Sequence, residues 1–417
     1  MLNLHNKNTV RYFILVVALL TFLFFSNDFG LIDVQKTAIV VAVGIDRDGE
    51  DFILTSQVAI PQPSEQGKAT NAVQIVSRGK TIAAAFNEIN AKTGWYPKLV
   101  FCNLILLGNE TTKQNVFDAL DFFLLDEYLS DNCLVAACED SAKDLLNAAA
   151  LVDSSSSAAI EKVLSRHAEQ VGTVYTSTLR TFAIGYYGKA ACGLLPIVKT
   201  KNQQEDESEK GERQGNQTEQ NPKNAPQTPT QNEKSAQDTQ NQAQTPQNKP
   251  VFSASETALF KNGKRVGALT PEETFAVNAV LNPLRLAPYS VATQNGVCTL
   301  SVKQNAPKIK LHVAKNGAAT LKIHLTITAG LLDYSKSLPV EEIADAGDVP
   351  ADAFSAAQKK LAGQILTLFE KTRALNCDVF RVRDRFQKTG NPNFSRYESD
   401  LLANTNAEVT VRFNNVR

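Results

Sequence analysis

From Lys201 to Pro250 the chain contains no Val, Ile, Leu, Met, Phe, Trp, Tyr or Cys. The stretch reads KNQQEDESEKGERQGNQTEQNPKNAPQTPTQNEKSAQDTQNQAQTPQNKP. It cannot bury enough apolar surface to offset the entropy of ordering it, so residues 200–250 are expected to be a disordered Gln/Asn/Pro-rich linker. A recognition role for the tract is the alternative. Nothing else constrains the fold as strongly, because whatever core the chain builds must be assembled on either side. The expected organisation is an export signal or membrane anchor over 1–30, an N-terminal α/β region over 31–199 with room for two subdomains, the linker, and a C-terminal α+β domain over 251–417.

The 417 residues are 43% hydrophobic, enough for sizeable cores. Forty-three basic and 43 acidic side chains cancel, which argues against a nucleic-acid binder that relies on global positive charge. Six cysteines, Cys102, Cys133, Cys138, Cys192, Cys298 and Cys377, include no C-x-x-C pair and no zinc spacing. Cys133 and Cys138 lie in one extended-looking run, about 16 Å apart and on opposite faces, where a disulfide needs Cα atoms within about 7 Å. The cysteines are therefore expected to be buried free thiols, with one unrecognised bridge as the alternative. A secreted disulfide scaffold is not supported.

Near the start, Tyr12 to Phe25 is a run of fourteen residues with little that is polar besides Thr21. As a helix it covers about 21 Å, against a hydrocarbon core of about 30 Å. His5, Lys7 and Arg11 precede it, while Asp28 and Asp33 follow, which favours an inward N-terminus and an extracytoplasmic remainder. Cleavage needs small residues two apart after the run, yet Ser26 is preceded there by Phe24 and Gly30 by Asp28. The expectation is an uncleaved anchor presenting Tyr12, Val16, Leu19, Leu23 and Phe25, with Arg11 snorkelling. Cleavage is the alternative.

The front part alternates strands and helices. KTAIVVAVGID and DFILTSQVAIP flank a turn at Arg47-Asp48-Gly49-Glu50. A helix is expected with Ile82, Ala85, Phe86 and Ile89 on one face, then a buried strand in VFCNLILLG. A second helix follows with Val116, Leu120, Phe123 and Leu124 inward, then a strand in NCLVAAC and a helix in SAKDLLNAAA. This order predicts a mixed or parallel sheet covered by helices.

The back part opens with a hairpin, TALFKNGKRVGAL, turning at Asn262-Gly263. A second, KIKLHVAKNGAATLKIHLTIT, has an arguable register. A three-residue loop, Lys315-Asn316-Gly317 with left-handed glycine, pairs Ile309 with Ile323 and Leu311 with Leu321, keeping one face apolar. The other face carries Lys308, Lys310, His312, Lys322 and His324, with Lys310 unfavourably opposite Lys322. It reads as a solvated face; an acidic partner or anionic headgroups are the alternative. A long helix with Leu361, Ile365, Leu368 and Phe369 inward precedes a closing strand in AEVTVRF. The fold class is α+β: multi-domain, with mixed sheets, packed helices and an N-terminal membrane anchor helix.

The search for chemistry is negative. Ser77-Arg78-Gly79-Lys80-Thr81 resembles the end of a phosphate loop, but Gln74 stands where the first glycine is needed, so Thr81 reads as a helix cap. Asp46, Asp48 and Glu50 resemble a calcium run, but Asp51 and Gln57 stand where glycine and glutamate are required. The four histidines, His5, His167, His312 and His324, form no cluster, and no hydrolase, zinc-protease or dinucleotide motif occurs. No catalytic, cofactor or metal site is expected, and the chain is expected not to be an enzyme.

With both halves read, the chain resembles the Ger(x)C family, the C subunits of spore germinant receptors. The resemblance is carried by AIVVAVGID with Gly44 and Asp46, TSQVAIP with Gln57 and Pro61, SRGKTIAAAFNEI, KLVFCNLILLGNE, ACEDSAKDLL and ETALFKNGKRVGALTPEET. Near the end it is carried by CDVFRVRDRFQKTGNPNF, with Asp378, Pro392 and Phe394. These positions read as structural. The resemblance implies a lipid-anchored, non-enzymatic subunit on the outer face of the spore inner membrane. Its implied partners are the membrane and two integral membrane subunits of a nutrient-responsive receptor, with no nucleic acid and no identified small-molecule ligand. An envelope structural protein or a solute-binding protein is the alternative. Two departures stand out. Where the family carries its Gly-Cys lipobox, this chain has Ser26-Asn27-Asp28-Phe29, which excludes lipidation at that place. Where the family has a glycine-containing turn after the late aspartate, this chain has FRVRDRF.

Overall fold

The computed structural model describes residues 3–26, 37–59, 72–201, 251–335, 349 and 351–416, apart from 151, 152, 154, 166–169, 295, 315, 316, 392 and 393. The stretch expected to be a linker therefore lies, past Lys201, outside the described residues. The first element is a helix, α1 (Asn3–Ser26), with side chains described from Val10 to Phe22.

The first sheet begins with β1 (Thr37–Asp48), β2 (Asp51–Ala59) and β3 (Ala72–Gly79), a meander whose first turn places Gly49 at φ +62°. Then come α2 (Ile82–Thr93), β4 (Tyr96–Lys98), β5 (Leu104–Leu107), α3 (Asn109–Thr112), α4 (Phe117–Leu125), β6 (Leu134–Cys138), α5 (Ala142–Asn147), α6 (Ser156–Leu164), α7 (Leu179–Tyr187) and β7 (Cys192–Lys201). Strands β4 and β5 both run parallel to β1, and β5, β6 and β7 run parallel in sequence. Local signals set these elements as expected. Thr81 accepts a hydrogen bond from the Ala84 N–H at 3.1 Å and starts α2, and Ile82, Ala85, Phe86 and Ile89 form its buried face. Val116, Leu120 and Phe123 are buried around α4.

The sheet does not end at the polar stretch. Strand β8 (Val251–Lys261) pairs antiparallel with β7, Val251 opposite Lys201, and β9 (Lys264–Leu269) pairs with β8 through a turn at Asn262 and Gly263, both with positive φ. The order is β3-β2-β1-β5-β6-β7-β8-β9, with β4 alongside β1. The hairpin expected to open a separate back domain therefore completes the front sheet. The chain leaves that sheet at Lys201 and re-enters opposite the same residue. Closure entropy grows only logarithmically with loop length, about 0.6 kcal/mol per doubling, so a long polar insertion inside a hairpin is tolerated.

The second sheet is β10 (Ala287–Thr293), β11 (Gly296–Val313), β12 (Ala319–Tyr334) and β13 (Thr405–Asn415), preceded by α8 (Pro271–Leu281). Between β12 and β13 come α9 (Ala351–Ala374), α10 (Val382–Lys388) and α11 (Phe394–Tyr397). The register between β11 and β12 is the expected one, Ile309 with Ile323 and Leu311 with Leu321, and Gly317 is left-handed at φ +87°. Lys310 does face Lys322, but β13 lies parallel to β12 and its Glu408 meets Lys322 at 3.0 Å, relieving the repulsion.

Helix α8 joins the two sheets. Thr274 to Val280 are all buried, so it is covered all round, and one core runs from Leu194, Leu259 and Leu269 of the first sheet through α8 to the second sheet and α9. Asn278 of α8 donates to the carbonyls of Gly172 and Val174, each at 2.8 Å, tying the helix to the segment before α7. The two faces of the first sheet have their own cores, one under α2, α4 and α7 and the other under α5 and α6. The fold is mixed α+β, with two multi-stranded sheets and packed helices.

Candidate functional site

The motif residues of the front part build a helix anchor. Asp46, late in β1, accepts hydrogen bonds from the N–H groups of Ala142 and Lys143, each at 2.9 Å, and from the Ser141 hydroxyl at 3.0 Å. Its carboxylate thus satisfies first-turn donors of α5 from a different strand, where negative charge suits the helix end. Gly44 lets α5 approach, since a Cβ there would lie 3.0 Å from the Ala142 Cβ, and a Cβ on Gly108 would run into the Asp46 carboxylate. Gln57 is buried on β2 opposite Gln74, and its Oε1 has no partner among the described residues. Pro61 lies outside the described residues. Asp48, one of the calcium-like trio, is ion-paired with Arg78, and among the described residues no group of His, Cys, Asp and Glu could hold a metal ion.

The late motif builds a second capped turn. Asp378 accepts from the N–H groups of Val382 at 2.7 Å and Arg383 at 2.9 Å. Burial nevertheless outweighs those bonds and raises its pKa above the ordinary carboxylate value. Arg381 precedes α10 with φ +53° and ψ +48°. The turn is therefore made without glycine, with arginine held in the left-handed region where glycine costs least. Phe394 sits 5.5 Å from the Phe386 ring, and Pro392 lies outside the described residues.

Cys192 and Cys377 form a disulfide, Cα atoms 5.6 Å apart, between β7 and the segment after α9. This corrects the expectation that all six cysteines are free. The partners are 185 residues apart in sequence and neither lies in a recognisable motif, so no local signal points to the pairing. The other four are buried thiols, as expected. Burial pushes the Cys138 and Cys298 thiols up, and for Cys133 a hydrogen bond with Cys102 is the main cause, with burial adding to it, which makes them poor nucleophiles.

Two exposed apolar surfaces stand out among the described residues. Tyr12, Val16 and Leu19 of α1 are 72%, 53% and 55% exposed. Leu23 and Phe25 are helical, but their side chains lie outside the described residues. Among the described residues no helix is long and apolar enough to cross a membrane. The second surface lies at the amino ends of the parallel strands β1, β5 and β6. Trp95 and Tyr96 flank the start of β1, where Tyr96 pairs with Thr37, and Val100 and Phe101 stand in the turn leading to β5. Leu125 ends α4 and Tyr128 stands in the connection to β6, and Lys98 lies over the Tyr128 ring at 5.3 Å. All six are exposed. Sequence reasoning did not find this edge, because its residues come from three separate loops.

The chain is thus multi-domain α+β, with helix-capping aspartates, a long-range disulfide and an exposed apolar helix. Two family models match: Spore germination protein N-terminal domain over residues 31–200, and Spore germination B3/ GerAC like, C-terminal, over residues 255–415. The chain is also similar to the crystal structure of the GerBC protein, with a TM-score of 0.47 and 15% identity, covering 89% of this chain and 96% of that one. No curated protein matches. Together the matched segments define a spore germination protein. The chain belongs to the Ger(x)C family, the C subunits of spore germinant receptors.

Proposed function

We propose that the chain is a non-enzymatic, membrane-anchored subunit of a spore germinant receptor. It stands on the extracytoplasmic face and couples to integral membrane subunits in nutrient-triggered germination. The observation that supports this most is the pairing of the exposed apolar helix α1 with the aromatic edge near β1. Residues 27–36 separate Ser26 from Thr37, a reach of roughly 40 Å at most, so the edge stays close to wherever α1 is held. Trp and Tyr beside Lys98 are the side chains that suit a membrane–water boundary or a partner standing in it.

On this reading α1 spans with help from Arg11, and spanning takes the place of the lipid that the family's cysteine carries. The polar stretch over 200–250 acts as a spacer between the two family segments. Coexpression with the integral subunits, followed by detergent solubilisation and affinity purification, tests the proposal. The chain is expected to co-purify with those subunits. Val16→Lys with Leu19→Lys should release it from membranes, and Trp95→Ser with Phe101→Ser should leave it on membranes but reduce co-purification. Tight binding of a nutrient by a chain that never co-purifies would instead favour a solute-binding protein.

A further inference from the structure

A cavity of about 310 Å³ opens between the start of α7, β7 and the turn into α10, with the Cys192–Cys377 disulfide at its wall. Its polar lining includes Arg381, Arg385, Tyr175, Ser177, Thr181 and Asn282, and Phe182 and Val379 supply an apolar side. Two guanidinium groups share this space. Arg385 donates its Nε to the Phe380 carbonyl at 3.0 Å, and neither Arg381 nor Arg385 has an ion-pair partner among the described residues.

The nearby carboxylates are already engaged. Asp378 holds the N–H groups of Val382 and Arg383, and Asp384 accepts the Lys189 N–H at 2.8 Å. Partial burial disfavours the charge on Arg385, and the positive charge of Arg381 adds to that, against an offset from Asp378 and Asp384. Two arginines line one cavity, and among the described residues neither is ion-paired with a carboxylate, although Asp378 and Asp384 act on Arg385 from nearby. The planar donors of the two arginines fit the oxygens of a carboxylate or a phosphate.

We propose that this cavity binds a small organic oxyanion, a carboxylate or phosphate held by Arg381 and Arg385, with its apolar part against Phe182 and Val379. The hydroxyl and amide groups of Ser177, Thr181 and Asn282 would meet the remaining polar atoms. The inference stands apart from the membrane reading, since it uses neither α1 nor the aromatic edge.

Isothermal titration of the full chain in nonionic detergent and low chloride tests it, with inorganic phosphate, succinate and butyrate as probes. At least one probe should bind saturably at one site per chain. Its affinity should fall about tenfold or more in Arg385→Gln and in Arg381→Gly, the effect expected of losing a charged hydrogen bond. The glycine variant matters most, because glycine suits the left-handed turn and so removes the charge without endangering the fold. Saturation by phosphate alone assigns a phosphate-bearing ligand, and saturation by the carboxylates alone a carboxylic one. No saturable binding by any of the three, or wild-type affinity in Arg381→Gly, would overturn the proposal.

Discussion

Asp46→Ala should destabilise the first sheet by about 3 kcal/mol. The substitution removes three hydrogen-bond acceptor contacts, to the Ser141 hydroxyl and the N–H groups of Ala142 and Lys143. Ala142 is buried, so its N–H is left without water, at a cost of about 1–3 kcal/mol. Lys143 is exposed, so solvent replaces its lost partner and the loss there is about 1 kcal/mol, of the order of a helix cap. A sum near 3 kcal/mol corresponds to a fall in melting temperature of about 6 °C or more for a unit of this size. Urea and thermal melts can be followed by far-UV circular dichroism and by fluorescence of Trp95, the chain's single tryptophan, just before β4 of the sheet that Asp46 supports. Asp46→Asn keeps the volume and one acceptor, and should lose about half as much. Pairing Asp46→Ala with Ser141→Ala should give less than the sum of the two, because both act on one contact. A loss under about 0.5 kcal/mol for Asp46→Ala, the range of an ordinary surface change, would refute the keystone role.

Alkylation of the unfolded, unreduced chain should label Cys102, Cys133, Cys138 and Cys298, with Cys192 and Cys377 labelled only after reduction. Because the bridge closes a separation of 185 residues, Cys192→Ala with Cys377→Ala should lower stability by about 2–5 kcal/mol, and an unchanged urea midpoint would contradict this. Arg381→Gly should raise stability by about 1 kcal/mol, since it relieves a left-handed arginine at φ +53°; a fall in the urea midpoint would show that the side chain stabilises the turn. The raised pKa of Asp378 means that the folded state holds its proton more tightly than the unfolded state does. Its stabilising contribution is then full below the unfolded value near 3.8 and is lost as pH rises through the raised folded value. Asp378→Asn should flatten that fall in urea midpoints measured from about pH 4 to pH 7, and an identical slope in the variant would contradict the assignment.

Features set by neighbours in sequence were legible. The buried face of α2 follows from the spacing of Ile82, Ala85, Phe86 and Ile89, and the β11–β12 register from keeping Ile309, Leu311, Leu321 and Ile323 on one side. Helix α8 was missed, although Thr270, Pro271 and Glu273 form a capping box with proline at the first turn. It is buried on every side from Thr274 to Val280, so it lacks a one-faced periodicity. The pairing of β8 with β7 was missed because composition marks where a chain cannot fold, not which strands pair across the gap. Of the candidate sites, the roles of Gly44 and Asp46 needed the position of α5, nearly a hundred residues away in sequence. The disulfide, the aromatic edge and the arginine cavity each combine residues from distant segments, which no spacing rule reaches.

Alkaline carbonate extraction of membranes carrying the full chain, followed by N-terminal sequencing of the mature protein, tests the central claim most directly. A chain anchored by α1 stays in the membrane pellet and yields an intact N-terminus containing Met1, and Val16→Lys with Leu19→Lys moves it to the supernatant. A wild-type chain recovered in the supernatant, beginning near Gly30, would contradict the account.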